Sequence, residues 1–122
     1  MIATAKHFPG HGDTQTDSHS ALAMIPSDSI RLWETELRPF KSMIDHSVDA
    51  IMVAHIHAPD YQNDSERPAS MSIFWLYEIL KSRMNFKGTV VTDAMEMGGI
   101  VKNYSDDFAL IETIKAGANV II

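Results

Sequence analysis

The chain has 122 residues, with ten Lys and Arg against sixteen Asp and Glu, a formal net charge of −6, and 45% hydrophobic residues. This is globular composition with room for one core, and the acidic balance excludes a nucleic-acid binder that works through a basic stripe. The absence of Cys excludes disulfides, thiolate catalysis and Cys-ligated zinc, and no apolar run approaches the roughly 18 residues of a membrane-crossing helix.

Met1 to Ala5 is a short apolar opening that reads as a buried strand without a charged-then-apolar leader. It runs into Lys6-His7-Phe8-Pro9-Gly10-His11-Gly12, where two Gly and a Pro predict the start of a loop that stays polar through Ser20. From about Ile30 to His46, Leu32, Trp33, Leu37, Phe40, Met43 and Ile44 recur at helical spacing. Pro39 lies inside that pattern, as a kink or as the first turn of a second helix. Val48 to His55 is an almost continuous apolar run, as expected of a parallel strand covered on both faces. After a loop with Pro59, Asn63, Asp64, Ser65 and Pro68, Ser72 is placed to cap a helix through Ile73, Leu76, Ile79, Leu80 and Met84.

Gly88 opens a third strand, Thr89-Val90-Val91-Thr92, which ends at Asp93. A short helical piece around Ala94 to Ile100 follows, then a helix from about Asp106 to Ala116 that Gly117 stops. Ala118 to Ile122 reads as a fourth strand. Helices alternating with apolar strands predict an α/β fold with parallel strands and no internal repeat or linker. Four strands and three crossovers fit a small open sheet, or half of a (β/α)₈ barrel, whose full domain takes about 250 residues.

Polar groups collect at the ends of the first three strands: Lys6 and His7, His55 and His57, and Asp93. In a parallel α/β fold the carboxyl ends of the strands form the site. Each residue alone has a plain structural role available, Asp93 as a helix cap and a lone His as a hydrogen-bonded residue. The first loop is the richest segment, with His7, His11, His19, Asp13 and Asp17 within thirteen positions. One reading is a metal site, since His and Asp suit zinc or iron and His55-Ile56-His57 adds a pair on one strand face. The other is a metal-free acid/base loop, in which the Asp17 carboxylate accepts from an imidazole nitrogen of His19 and fixes its tautomer.

The run Lys6-His7-Phe8-Pro9-Gly10-His11-Gly12 with Asp17-Ser18-His19 resembles the bacterial β-N-acetylhexosaminidase branch of glycoside hydrolase family 3. Glu36-Leu37-Arg38-Pro39-Phe40, Ala50-Ile51-Met52-Val53-Ala54-His55, Thr92-Asp93-Ala94-Met95-Glu96-Met97 and Ala116-Gly117-Ala118-Asn119 agree with it in order and spacing. The resemblance covers the whole chain and implies a TIM-like barrel, of which residues 1–122 look like strands five to eight, the C-terminal half. It implies Asp93 as nucleophile, His19 as acid/base with Asp17 as its dyad partner, Lys6 and His7 on sugar hydroxyls, and His55 at the pocket wall or satisfied at its strand end. His57 and His11 are then structural or exposed. Trp33, Trp75 and Phe40 fall on helical faces and read as core, and Met95, Glu96 and Met97 as packing or pocket floor.

The activity implied is retaining removal of terminal β-linked N-acetylglucosamine, from peptidoglycan fragments as substrate class, with no metal or other cofactor, in the cytoplasm or cell envelope of a bacterium. A neutral imidazole does not repel an anionic acceptor as a carboxylate would, so phosphorolysis is chemically open too. Asp17-Ser18-His19 separates this branch from the β-glucosidases of the same family. The family's sugar-gripping Asp and Arg come from the first half of the barrel and have no counterpart here. A half barrel alone exposes unpaired strand edges and apolar interior side chains, so the isolated chain is expected to be poorly active. The alternatives are a metal-dependent barrel hydrolase using His7, His11, His55 or His57, and an inactive half-barrel binding module.

Overall fold

The computed structural model describes residues 1–11, 23–25, 29–62 and 67–122. In chain order these form β1 (Thr4–Phe8), β2 (Ala23–Met24), a helix α1 over 29–45, β3 (Ala50–Val53), β4 (Ile56–His57), a 3₁₀ turn (Ala69–Met71), α2 (Phe74–Arg83), β5 (Thr89–Thr92), α3 (Gly98–Val101) and α4 (Asp106–Ala116). The fold is α/β, and its principal sheet has the order β1-β3-β5 with parallel neighbours. Thr4 lies opposite Ala50, which lies opposite Thr89, and Val53 lies opposite both Phe8 and Thr92. The three strands therefore end together on one edge. Segment 118–122 runs beside β5 through a single parallel bridge, Val91 to Val120, with Val90 O accepting from the N–H groups of Asn119 and Val120. It has the position expected of a fourth strand, though only as a bridge.

The first strand lies three residues further on than the sequence predicts. Pairing, not composition, sets its end: Phe8 is fully buried and its carbonyl accepts from Ala54 N–H at 2.9 Å. Lys6 and His7 thus sit in β1, with cis peptides at Lys6–His7 and Phe8–Pro9, and the turn begins only at Pro9 and Gly10. The second strand, expected over Val48 to His55, shortens to β3, and a further short strand, β4, follows it. The latter pairs in parallel with β2 in a separate two-stranded ladder.

Helix α1 is α-helical at Ser29–Arg31, widens into a π turn at Leu32–Glu36, and returns to α at Leu37–Asp45. Leu37 N–H reaches back to Leu32 O, five residues away. Pro39 carries no N–H for the carbonyl four residues earlier, so the chain takes the wider turn just before it. Helix α2 is π-type over its length. Ser72 accepts from Trp75 N–H at 3.4 Å and Leu76 N–H at 3.0 Å, which places it as the expected cap.

The core lies between one face of the sheet and these two helices. Ala5, Ile51, Val53 and Val90 pack with Leu37, Phe40, Trp75, Leu76, Ile79 and Leu80, all buried. Trp75 also donates from its indole N–H to Gln62 Oε1, while Gln62 Nε2 donates to Arg67 O at 2.7 Å, fixing both ends of the loop that follows β4. Trp33 is partly buried and donates to the Tyr61 hydroxyl at 2.8 Å. The opposite sheet face is not covered on both sides as its apolar run predicts. Thr4 and Lys6 are exposed, and Met52 and Val91 partly so. No helix among the described residues is long and apolar enough to cross a membrane.

Helix α4 has the predicted bounds, with Asp106 and Asp107 in its first turn and Lys115 in its last, each complementing the helix dipole. It stops at Gly117, whose φ of 107° is left-handed and whose N–H bonds Ile114 O. Gly117→Ala is expected to cost about 1–2 kcal/mol, because a Cβ crowds the backbone in that conformation. Denaturant midpoints of the two forms measure it, and unchanged stability would contradict the role assigned to Gly117.

Candidate active site

Three strand ends converge. β1 supplies Lys6 and His7 in its last three residues. Asp93 directly follows β5, and its N–H donates to Val53 O at 2.9 Å, so sheet pairing fixes where it leaves the sheet. Asp93 Oδ1 accepts from Ala94 N–H at 3.0 Å. The other oxygen, Oδ2, lies 3.8 Å from His7 Nε2, with the His7 side chain 32% and the Asp93 side chain 21% exposed. A carboxylate with one oxygen held by its own backbone and the other beside an imidazole, on a partly exposed side chain, is placed to meet a ligand. The cap role for Asp93 does not fit, since α3 begins at Gly98 with Met97 as its flanking residue.

His11 lies edge-on to His7, with ring centroids 6.1 Å apart. Both line a cavity of about 540 Å³ with Lys6, Arg31 and Glu36. Glu36 is buried, and its Oε2 has no hydrogen-bond partner among the described residues.

His55 lies two residues beyond β3 and is fully buried. Nε2 is 3.0 Å from Ala94 O, and Nδ1 is 2.8 Å from Ser70 Oγ. A carbonyl only accepts, so Nε2 carries the proton and donates. Nδ1 of the neutral ring then accepts from the Ser70 hydroxyl. Burial lowers the His55 pKa below its ordinary value, against the opposing pull of the Ala94 bond and the Asp93 charge. Both nitrogens are thus engaged by protein, which fits the satisfied strand-end role of the two that the sequence left open. Ser70 was not foreseen; one serine in a polar loop carries no signal of its distant partner.

His57 is buried in β4, and its carbonyl accepts from Ile25 N–H at 2.9 Å. Among the described residues, His7, His11, His55 and His57 included, no group of three or more His, Asp or Glu could hold a metal ion. The expected acid/base pair, Asp17 and His19, lies outside the described residues, as does Asp13.

Residues 1–122 match the glycosyl hydrolase family 3 N-terminal domain over their whole length. The chain belongs to that family. Among curated relatives, it is 35% identical over 132 residues to a protein named beta-hexosaminidase A from Pseudoalteromonas piscicida, covering 100% of this chain and 22% of the relative. It is 38% identical over 125 residues to a beta-hexosaminidase from Idiomarina loihiensis, covering 100% and 36%. Among solved structures, a family 3 beta-N-acetylglucosaminidase from Paenibacillus sp. str. FPU-7 superposes with a TM-score of 0.94 at 41% identity, over 98% of this chain and 23% of that one. The chain therefore spans between about a fifth and two fifths of the length of these relatives.

Proposed function

We propose that these residues serve a retaining exo-β-N-acetylglucosaminidase, with Asp93 as nucleophile. The observation that carries this reading is the placement of Asp93 at the sheet's carboxyl edge, partly exposed and with Oδ2 3.8 Å from His7 Nε2. Asp93 attacks the anomeric carbon as the bond to the leaving oxygen breaks, and His19 gives that oxygen a proton. Water then attacks the same carbon, gives its proton to His19, and releases Asp93. Asp17 orients the imidazole, and Lys6 and His7 hold sugar hydroxyls. The reaction draws on no cofactor. Relatives named beta-hexosaminidase and beta-N-acetylglucosaminidase support the sugar class, and peptidoglycan fragments are the natural source we infer.

We further propose that residues 1–122 are the C-terminal half of the family's barrel domain, corresponding to strands five to eight. Two observations support this. The sheet face carrying Thr4, Lys6, Met52 and Val91 is open on one side, and apolar side chains such as Phe108, Ile111, Ile114 and Ile122 are exposed. The remaining sugar contacts then come from the other half, and the isolated segment turns over little or no substrate.

The test is an aryl β-N-acetylglucosaminide, given to the full-length polypeptide and to the 122 residues alone, with product anomers followed by proton NMR. Expected are turnover with a β-anomer released first by the former, and little by the latter. An initial α-anomer or an inert full-length protein would overturn the function. Brisk turnover by the segment as a monomer would overturn its being half a site.

A further inference from the structure

We propose that His55 is a positioning residue for Asp93, fixed in its Nε2–H tautomer by Ser70. The inference rests on the reading of Asp93 as nucleophile.

The Asp93–Ala94 unit leaves the sheet at the end of β5, where strand pairing stops. Its N-terminal side is held by the bond from Asp93 N–H to Val53 O, and further on Met95 N–H donates to Ile122 O at 2.8 Å. Between these, the Asp93–Ala94 peptide N–H is taken by Asp93's own side chain, at 3.0 Å from Oδ1. The direction of that N–H, and hence of the carboxylate bonded to it, depends on how the backbone is rotated through Ala94. The Ala94 carbonyl accepts from Met97 N–H at 3.1 Å within the turn that follows, and, alone among side chains of the described residues, from His55 Nε2 at 3.0 Å.

An imidazole offers this donor only in one tautomer. Ser70 Oγ, 2.8 Å from Nδ1 and itself fully buried in the 3₁₀ turn, supplies the hydroxyl proton that selects it. The chain of contact runs from Ser70 through His55 and Ala94 O to the backbone beside Asp93. Neither ring nitrogen of His55 bonds to the Asp93 carboxylate, and the ring, being fully buried, lines no space where a sugar could bind. Its effect is on the aim of the carboxylate, which matters because attack on the anomeric carbon requires alignment, whereas binding of the sugar does not.

Two substitutions separate this role from plain packing. In Gln, the terminal amide nitrogen falls near the place of Nε2 and keeps a donor toward Ala94 O. In Asn, the amide reaches only the place of Nδ1, toward Ser70. In the full-length polypeptide, His55→Asn is expected to lower kcat roughly 10- to 100-fold, with KM for the aryl glycoside changed by less than about twofold. His55→Gln is expected to recover most of that loss.

Equal kcat losses in the two variants, or a rise in KM without loss of kcat, would overturn the proposal. If neither variant folds, the ring ¹⁵N shifts of the unaltered protein decide: Nε2 protonated and Nδ1 bare at neutral pH supports it, and the reverse tautomer or a doubly protonated ring overturns it. Asp93→Ala is the control for the reading beneath. Turnover surviving in that variant removes the nucleophile assignment itself, while its loss beside an unaffected His55→Asn removes only the positioning role.

Discussion

Asp93→Ala in the full-length polypeptide is expected to lower turnover of an aryl β-N-acetylglucosaminide by roughly 10³-fold or more, because no covalent intermediate can form. The fold should survive. Asp93 is partly exposed, caps no helix, and spends its side-chain bond on the adjacent Ala94 N–H, while its backbone bond to Val53 O needs no side chain. Truncation also leaves a space on the α face of the sugar. Azide entering that space should restore turnover of an activated substrate and yield the α-glycosyl azide. Activity within about tenfold of the unaltered protein, without azide, would contradict the assignment.

The second large effect belongs to His19. A general acid matters in proportion to the basicity of the oxygen that leaves. His19→Ala should therefore slow a natural disaccharide-like substrate by roughly 10²- to 10⁴-fold while sparing a dinitrophenyl glycoside, whose leaving group departs without a proton. Asp17→Ala should follow the same order with a smaller effect, since it acts through the imidazole. Steady-state kinetics on a series of aryl leaving groups measures the dependence. An equal loss across the series would remove His19 from the acid/base role.

The contrast between sequence and structure follows the range over which each signal acts. Helix α4 was legible in full, because Asp106 and Asp107 at its start, Lys115 at its end and Gly117 beyond it are all local determinants. The apolar strands and their parallel order were legible for a similar reason: alternation with helices admits few topologies. The boundaries of β1 were not. Pro9 and Gly10 mark a turn, but only the partner strand determines that Lys6, His7 and Phe8 still pair. β2 and β4, at two residues each, are too short to show a period. The π turn before Pro39 depends on a missing N–H that composition marks only as an irregularity.

The site divides in the same way. Asp93, Lys6 and His7 stood out as polar residues closing apolar strands, and the structure brings His7 within 3.8 Å of Asp93. The partners of His55 are 15 and 39 residues away and share no motif with it. Its buried place between Ser70 and Ala94 needed coordinates. Asp17 and His19 were legible from residue type and spacing as one of two open readings, their roles followed from the resemblance, and both lie outside the described residues.

The most direct measurement is covalent. A 5-fluoro-N-acetylglucosaminyl fluoride forms its glycosyl-enzyme quickly and loses it slowly, so the full-length polypeptide can be trapped, digested and sequenced by mass spectrometry. A nucleophilic Asp93 requires the added sugar mass on the peptide containing Thr92-Asp93-Ala94, on the aspartate itself. The same mass on another carboxylate, or steady turnover of the reagent with no adduct on any peptide, would contradict it.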